Sequence, residues 1–240
     1  MEKGSVYLVP SLLDENGVNA IPLYIADAVQ QCQVMFVENE RTARRFLKQF
    51  WRERLPEGSE IIIDNYEWFT IHKAEENVRN SFRQKLNEGK NIAIISEAGC
   101  PGVADPGQLL VSVAQEMNAT VVPLVGPSSI LLALMASGMN GQQFRFTGYL
   151  PIDNAQRMKA IKDLEADSKK NNCTQIFIET PYRNNQMVEV VLKHASPSSR
   201  FCIAVDLTGE KEWVKTKTVA EWKKETVDIH KRPAIFLLMA

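Results

Sequence analysis

The chain has few metal-binding or disulfide-forming side chains and no long apolar run. Its four cysteines form no C-x-x-C pair, and its three histidines lie far apart. This argues against a zinc site or a disulfide framework and fits a reducing compartment. The amino terminus lacks a signal-peptide core, and the longest apolar runs are too short to span a bilayer. We therefore predict a cytoplasmic protein without a membrane anchor.

The sequence also has no excess of charge of either sign. It carries 28 basic and 29 acidic residues, so it exerts no overall attraction on nucleic acid. Any contact with a polyanion must then come from a local patch. With 240 residues, 45% of them hydrophobic, the chain is long enough for one large or two modest α/β domains with a real core.

Two familiar phosphate-binding loops are absent. No G-x-G-x-x-G occurs, which argues against a dinucleotide-binding Rossmann fingerprint. Gly102 and Gly107 have the glycine spacing of a P-loop, but Gln108 and Leu109 stand where Lys and Ser or Thr are required. On spacing alone, this segment is equally well explained as an ordinary connecting loop.

The most informative stretch is residues 91–129. An apolar run at 92–95 predicts a buried strand, and residues 96–107 form a loop rich in glycine and proline. A helical stripe at 109–117, a strand at 120–124 and a turn at 126–129 follow. Because ligands of open α/β sheets sit beyond the carboxyl ends of strands, these two turns are the predicted binding site.

The rest of the chain predicts two α/β domains. Helix-rich alternation gives way to a strand-rich pattern near residues 118–120, so we place an N-terminal domain with a mostly parallel sheet at 1–118 and a C-terminal domain with a mixed sheet at 119–240. Further strands are predicted at 6–10, 34–37, 61–63, 144–149, 174–178, 201–205, 213–219 and 234–239. Further helices are predicted at 23–31, 41–54, 74–86, 154–170 and 182–194.

One predicted helix carries a local basic patch. Six cations fall within it, and four share one face because of their helical spacing. The six are Arg41, Arg44, Arg45, Lys48, Arg52 and Arg54. The patch could dock an RNA backbone through phosphate contacts, or it could be an ordinary solvated helix face.

An ordered series of motifs resembles the tetrapyrrole methylase superfamily and, within it, the ribosomal RNA small-subunit methyltransferase I group. The motifs are S-E-A-G-C-P at 96–101, A-D-P-G at 104–107, V-P-L-V-G-P-S-S at 122–129, F-T-G-Y-L-P at 146–151, E-T-P-Y-R at 179–183 and A-V-D-L-T at 204–208. Together they span nearly the whole chain. The combination is more specific than any single motif.

The resemblance implies two α/β domains with the cofactor cleft between them, S-adenosylmethionine as methyl donor, and a homodimer. It also implies a set of cofactor-binding residues drawn from both halves of the chain. These are Pro10, Ala98, Gly99, Cys100, Pro101, Ala104, Asp105, Pro106, Ser128, Ser129, Tyr149, Leu150, Thr180, Pro181, Pro233 and Ala234. Small residues permit close approach, and hydroxyl and carboxylate oxygens can accept hydrogen bonds from the cofactor.

Methylation of a ribose hydroxyl requires removal of its proton, and four carboxylates are candidates by residue type: Glu97, Asp105, Glu179 and Asp206. The sequence does not choose among them. Glu97 and Glu179 could instead bind loop backbone, and Asp105 could brace its own turn. Cys100 is better explained as a small loop filler than as a nucleophile.

The leading hypothesis is therefore an S-adenosylmethionine-dependent methyltransferase that acts on a ribose 2′-hydroxyl of ribosomal RNA. Two alternatives remain. In the group, Gly-Asn and E-D-T-R motifs follow the first two strands, whereas this chain has Ser11-Leu12-Leu13 and Glu38-Asn39 there. These departures leave open a tetrapyrrole or other small-molecule substrate, or a non-catalytic relative that binds S-adenosylmethionine.

Overall fold

The computed structural model describes residues 3–56, 62–71 and 75–240, and the chain forms two compact units, Met1–Ser128 and Ser129–Ala240. The division falls ten residues after the boundary that the sequence pattern placed at 118. The reason is that Val121–Pro123 pairs with Val6–Val9 and therefore belongs to the first sheet. His72, one of the three histidines, lies outside the described residues.

The first unit contains a five-stranded sheet in which every pairing is parallel. Its strands are β1 (Val6–Val9), β2 (Val34–Val37), β3 (Glu67–Thr70), β4 (Ile92–Ile95) and β5 (Val121–Pro123), in the order β3-β2-β4-β1-β5. The central β2 and β4 are buried at every position, as their unbroken apolar runs predicted. Because the strands are parallel, their carboxyl ends meet at one edge, which we call the first edge.

Helices cover both faces of this sheet. They are α1 (Ile25–Gln30), α2 (Glu40–Arg54), α3 (Glu75–Asn87) and α4 (Gly107–Glu116). Phe46, Leu47 and Phe50 of α2 pack with α1 in one core cluster, and Phe82 and Leu110 belong to a second. The two separate clusters are what a sheet buried on both faces requires.

The third strand was predicted wrongly at 61–63. Residue 61 lies outside the described part of the chain, and Ile63 begins a short 3-10 helix, Ile63–Asn65. The strand that pairs with β2 is Glu67–Thr70, where Phe69 stacks on Phe36 with ring centroids 4.8 Å apart. Ile63 is buried in the core without joining the sheet, because a side chain can be buried by a turn as well as by a strand.

The second unit contains a mixed five-stranded sheet. Its strands are β6 (Phe144–Tyr149), β7 (Thr174–Ile178), β8 (Arg200–Val205), β9 (Trp213–Thr218) and β10 (Ala234–Met239), in the order β6-β7-β10-β8-β9. Only β6 and β7 pair in parallel, whereas β10 and β9 run antiparallel to their neighbours. Helices α5 (Ser129–Ser137), α6 (Asn154–Asn171), α7 (Asn184–His194) and α8 (Val219–Trp222) complete the unit.

One core cluster and a set of sheet contacts organise the helices of the second unit. Ile161 of α6 and Met187 and Val191 of α7 pack with Phe177 and Phe236 of the sheet, while α5 contacts β9 and β10. In the described ranges, no helix combines the length and the apolar character needed to cross a bilayer.

Candidate functional site

The predicted loop lies at the first edge and contacts the segment that follows β1. Ser11 is buried, and its N–H donates to the carbonyl oxygen of Gly99 at 2.8 Å. The same two residues form an isolated antiparallel bridge. The structure therefore brings Pro10 beside the loop that carries Ala98, although the Gly-Asn of the group is replaced after Pro10.

Two glycines of this edge lie close to neighbouring segments, and one of them has no space for a side chain. A Cβ built on Gly126 would lie 2.0 Å from the Cβ of Pro10. A Cβ on Gly99, whose φ is +73°, would lie 3.2 Å from Leu13 Cδ2 and 3.3 Å from the carbonyl oxygen of Pro127. The segments after β1, β4 and β5 are thus packed directly against one another.

The loop backbone itself is strained. Gly99, Gly102 and Ala104 all have positive φ, and Ala104, at +61°, adopts this conformation with a Cβ. Such a conformation costs an ordinary residue about 1–2 kcal/mol. Strain of this kind collects at ligand sites, where the surrounding structure holds it in place. Ala104 and Ala98 are both exposed, so the strained backbone faces outward.

Asp105 braces this loop with both of its carboxylate oxygens. Oδ2 accepts from the N–H of Gly102 at 3.0 Å, and Oδ1 accepts from the N–H of Gly107 at 2.7 Å. Burial raises the pKa of Asp105, although the two backbone hydrogen bonds act in the opposite direction. Of the roles that the sequence left open, this geometry favours the brace. Pro106 directly precedes α4 as its N-cap residue.

The backbone of Glu97 binds the carboxylate of Glu38. Its N–H donates to Glu38 Oε1 at 3.0 Å, and its own side chain is exposed. Burial raises the pKa of Glu38, the hydrogen bond from Glu97 opposes that shift, and the nearby charge of Asp105 adds to it. Glu38 was not among the predicted site residues. Its signal was its position, directly after the carboxyl end of β2.

Cys100 fills a gap between the two loops of the first edge. Its Sγ lies 3.7 Å from the carbonyl oxygen of Gly126 and 3.5 Å from that of Pro127. Burial raises the pKa of the Cys100 thiol, which disfavours the nucleophilic thiolate. This geometry agrees with the loop-filler interpretation. Pro101 beside it is buried.

The predicted residues of the second unit also gather along one edge of their sheet, which we call the second edge. Tyr149 and Leu150 stand at the end of β6, Thr180 and Pro181 follow β7, Asp206 follows β8, and Pro233 and Ala234 stand at the start of β10. Because β10 runs antiparallel to β7 and β8, its start lies beside their ends. The N–H of Asp206 donates to the carbonyl oxygen of Pro233 at 3.0 Å.

Glu179 is buried and already bound at one of its oxygens. Its Oε1 accepts from the Thr180 N–H at 2.7 Å and from Arg183 Nη2 at 2.6 Å. Burial, the largest single influence, raises the pKa of Glu179, but the hydrogen bonds and the charges of Arg183 and Arg157 together outweigh it and lower the pKa. A carboxylate with a lowered pKa is a poor general base at neutral pH.

Asp206 is likewise paired, because Arg232 Nε donates to Asp206 Oδ2 at 2.7 Å.

The two predicted serines lie where the two units divide. Ser128 is the last residue of the first unit, and Ser129 begins α5 in the second. The assignment of the four carboxylates as bases, the full cofactor-binding set and the predicted cleft all stay predictions. Within the described ranges, no group of three or more histidine, cysteine or acidic side chains could hold a metal ion.

The basic helix α2 presents four of its cations on one exposed face, as its spacing predicted: Arg41, Arg45, Lys48 and Arg52. Asn39 caps the helix by accepting from the N–H groups of Arg41 and Thr42. A groove of about 1200 Å³ lies between this face and residues 11–16, and it reaches Glu97 and Ala98 of the loop.

Four of the six cations of the patch already have side-chain partners, either within α2 or elsewhere in the sequence. Arg44 contacts Glu40 at 2.8 Å and Asp64 at 2.6 Å, and Arg45 contacts Glu15 at 3.2 Å. The last two pairings are Arg52 with Glu53 at 2.7 Å and Arg54 with Asn19 at 2.7 Å. Arg41 and Lys48 have no ion pair in the part of the chain that the structure describes. The patch is therefore less positive than its sequence indicates.

Comparison with known proteins places these observations in a family. The family model of the tetrapyrrole (corrin/porphyrin) methylases matches residues 18–223. A ribosomal RNA small subunit methyltransferase I from Escherichia coli O157:H7 is 28% identical over 240 residues, which cover 98% of this chain and 78% of that protein. One of the same name from Mesorhizobium japonicum is 36% identical over 134 residues, covering 56% of this chain and 44% of the relative.

Solved structures agree with the predicted fold. The methyltransferase CobJ superimposes with a TM-score of 0.60 at 14% identity, over 100% of this chain and 94% of that one. Uroporphyrin-III C-methyltransferase from Thermus thermophilus, complexed with S-adenyl homocysteine, superimposes with a TM-score of 0.54 at 16% identity, over 98% and 97%. At these identities the likeness concerns the fold, and it confirms the predicted α/β architecture.

Proposed function

This chain belongs to the tetrapyrrole methylase family, and from that premise we propose that it methylates a ribose 2′-hydroxyl of small-subunit ribosomal RNA. Membership of the family confirms the predicted class, a methyltransferase, and the predicted methyl donor, S-adenosylmethionine. The observation that carries the RNA substrate is the relative from Escherichia coli, a ribosomal RNA small subunit methyltransferase that aligns over 98% of this chain.

The residues at the first edge fit a nucleoside sulfonium. Ala98 and Ala104 leave the strained loop backbone open to close approach, and the contacts of Asp105 set its shape in advance. We propose that this loop, with Pro10, Gly99, Cys100, Pro101 and Pro106, forms one wall of the methyl-donor site. Ser128 and Ser129 add adjustable hydroxyls.

The second edge offers buried polar atoms to a ligand. Glu179 Oε2 and Asn184 Oδ1 are buried acceptors without a partner among the described residues, and Arg183 Nε is a buried donor in the same state. Buried polar atoms normally find partners, so an amine, hydroxyl or carboxylate of a ligand would complete them. Tyr149, Leu150, Thr180, Pro181, Pro233 and Ala234 are the proposed residues here.

Bound S-adenosylmethionine supplies an electrophilic methyl group. The contribution of the chain is to align the ribose oxygen with that group and to exclude water, and alignment is the largest effect available for an in-line displacement. Asp105 is held by backbone N–H groups, and Glu179 and Asp206 are held by guanidinium groups. Glu97 is exposed. We therefore propose that positioning contributes more than base catalysis does.

The groove beside α2 supports a polyanionic substrate. Lys48 and Arg41 face it without ion pairs among the residues the structure describes, and Arg45 and Arg52 are exposed enough to exchange their acidic partners for phosphates. The groove reaches Ala98, so a strand bound there would pass the proposed methyl-donor loop.

A small-molecule substrate is the second candidate, and one observation favours it. Five acidic side chains line the same groove as five cations, so its formal charge is balanced. The acids are Asp14, Glu15, Glu40, Glu53 and Glu97. Salt distinguishes the two substrates, because RNA binding weakens steeply with added salt and binding of a small tetrapyrrole does not.

We also propose a cytoplasmic homodimer. Met135 on α5 is 79% exposed, and Leu131, one turn earlier on the same helix, is 49% exposed. Apolar side chains of this size on one helix face are typical of a surface that meets a partner. Light scattering of the purified chain should give twice the monomer mass, and Met135→Glu should shift it toward the monomer mass.

The test of the proposed function is a map of ribose methylation in small-subunit ribosomal RNA. A strain without the gene should lose methylation at one ribose, and complementation should restore it. An unchanged map would contradict the RNA assignment. Asp105→Ala should complement poorly, whereas Asp27→Ala, which removes an exposed carboxylate of α1 that does not line the groove, is the matched control and should complement fully.

A further inference from the structure

An exposed tyrosine stands at the second edge with two basic side chains against its ring. Tyr182 lies in the 3-10 turn Pro181–Arg183 after β7 and is 69% exposed. The His230 ring meets it edge-on, with centroids 6.0 Å apart and planes at 76°. The Lys231 ammonium lies 5.7 Å from the ring centroid, within the range of a cation–π contact.

The turn that carries His230 and Lys231 is fixed to the turn that carries Tyr182. The Lys231 N–H donates to the Pro181 carbonyl oxygen at 2.9 Å, and Lys231 itself has a positive φ of 61°. Asn184 Nδ2 donates to the carbonyl oxygen of Arg232 at 2.6 Å. The exposed aromatic ring and its cation are therefore held in place before any ligand arrives, which lowers the entropic cost of binding.

A second pair of contacts ties the same turn to the start of α7. Asn185 Oδ1 accepts from the Ile229 N–H at 2.8 Å, and Asn185 Nδ2 donates to Asp228 Oδ1 at 2.9 Å. Asp228 also accepts from the backbone N–H of His230 at 3.2 Å. Asn184 and Asn185 thus hold the turn that places His230 and Lys231 against the Tyr182 ring.

The charge around the ring is available for an anion. Glu179 and Asp206 are bound by Arg183 and Arg232, and Asp228 is bound by Asn185. Lys231 is exposed and has no ion pair within the described ranges. An aromatic face with an unpaired cation beside it is the arrangement that binds a nucleobase and its adjoining phosphate in single-stranded RNA.

We propose that Tyr182 and Lys231 form a binding site for one unstacked nucleobase of the RNA substrate and the phosphate next to it. The inference rests on the proposed function and adds a substrate-recognition site to it. Phe144 shows the contrast, since it is also exposed on the same sheet but lies at the start of β6. No cation lies over its ring in the part of the chain that the structure describes.

The experiment compares four variants on small ribosomal subunits prepared from the strain without the gene. Tyr182→Ala should raise the KM for the subunits about ten- to hundredfold, because stacking on the ring is lost. Tyr182→Phe keeps the ring and should stay within about twofold of the wild type. Lys231→Gln should weaken RNA binding whatever the base sequence, because a phosphate contact is lost. The slope of log affinity against log salt concentration should become less steep by about one.

Two controls separate this site from the rest of the enzyme. Phe144→Ala removes an exposed ring from the same sheet and should leave the KM for the subunits unchanged. The affinity for S-adenosylhomocysteine, measured by calorimetry, should be the same in Tyr182→Ala as in the wild type. Melting temperatures of all four variants should stay close to the wild-type value, because the substituted side chains are exposed.

Three results would overturn the inference while the proposed function stands. They are an unchanged KM in Tyr182→Ala, an equal loss in Tyr182→Phe, which would assign the effect to the hydroxyl, and a matching loss of S-adenosylhomocysteine affinity. If the wild type transfers no methyl group to the subunits, the proposed function fails, and this inference fails with it.

Discussion

Carboxylates at the two sheet edges are held in opposite ways. At the first edge, Asp105 and Glu38 accept from backbone N–H groups, and burial raises the pKa of both. At the second edge, Glu179 and Asp206 are bound by the guanidinium groups of arginines, and the pKa of Glu179 is lowered. The two pairs of carboxylates differ in their hydrogen-bond partners, and in both pairs each carboxylate is already bound within the protein.

This difference indicates how each edge would meet a ligand. The first edge is shaped by contacts within its own loops, where Gly126 is packed against Pro10 without space for a side chain. The second edge depends on ion pairs and leaves buried polar atoms unpaired among the described residues, Glu179 Oε2 among them. We therefore expect substitutions at the first edge to act through packing and those at the second edge to act through charge.

The largest effect is expected from Gly126→Ala. The new Cβ would overlap Pro10, so backbone must move, and we expect a loss of about 3 kcal/mol in the free energy of unfolding. Gly148→Ala is the matched control at the second edge. Its surroundings are open, so the loss of about 1 kcal/mol that we expect comes only from its left-handed φ of +74°, which Gly126 does not share. Urea denaturation measures both losses of unfolding free energy. Equal losses would contradict the claim that close packing determines the effect at the first edge.

The next effect tests charge at the second edge. Arg183→Gln removes the partner of a buried carboxylate, and we expect the melting temperature to fall by about 5 °C at pH 7. The lowered pKa of Glu179 stabilises the folded chain above the ordinary value of 4.5, and this benefit is lost as pH falls through the folded-state pKa. The deficit should therefore shrink below pH 4.5. Thermal melts across that range check it.

The matched control for that prediction is Arg52→Gln. Arg52 and Glu53 form an ion pair in which the Arg52 side chain is 75% exposed, so its loss should change the melting temperature little. A deficit in Arg183→Gln that stays constant from pH 7 to pH 3.5 would show that the arginine acts through packing. That result would remove the distinction between the two edges.

A third effect, of similar size, concerns the brace of the loop. Asp105→Ala leaves the N–H groups of Gly102 and Gly107 without their acceptor, which we expect to cost about 2 kcal/mol of stability. The affinity for S-adenosylhomocysteine should fall about tenfold, because the loop loses its shape. Asp105→Asn keeps one acceptor oxygen and should show about half of the stability loss. Calorimetric titration that finds wild-type affinity in Asp105→Ala would refute the role of the brace.

The smallest effect is expected on the basic helix. Lys48→Gln should raise the KM for small ribosomal subunits about two- to threefold at 0.1 M salt, through one lost phosphate contact. Arg54→Gln is the control, since Arg54 is bound to Asn19 and does not line the groove. Methyl-transfer kinetics at several salt concentrations would detect the difference, and equal effects would argue against phosphate binding in the groove.

Much of the fold could be predicted because most strands are continuous apolar runs. The strands at 34–37, 92–95, 144–149, 174–178 and 234–239 have the predicted bounds. The third strand could not be located because Glu67–Thr70 is an edge strand, exposed or half-buried at every position, whereas the more apolar Ile63 is buried by a turn. The predicted domain boundary at 118 precedes the observed division because the short β5, which ends in a proline, does not indicate in its sequence which sheet it joins.

For the candidate site, the sequence predicted which segments would share an edge but not how their side chains pair. Parallel β1 and β4 bring Pro10 to the loop at 98–106, which follows from strand order alone. The pairing of Arg45 with Glu15 and the bond between Glu38 and the Glu97 amide join residues 30 and 59 positions apart. No local pattern encodes such contacts. The net charge of the basic patch was therefore overestimated.

The central claim is that the strained, self-braced loop of the first edge holds the methyl donor. Hydrogen–deuterium exchange with and without S-adenosylhomocysteine tests it most directly, because it needs no substitution. We predict slower exchange at the backbone amides of residues 97–105 and 11–13, with no change along α6. Unchanged exchange in the loop at saturating ligand, with protection confined to other segments, would contradict the claim.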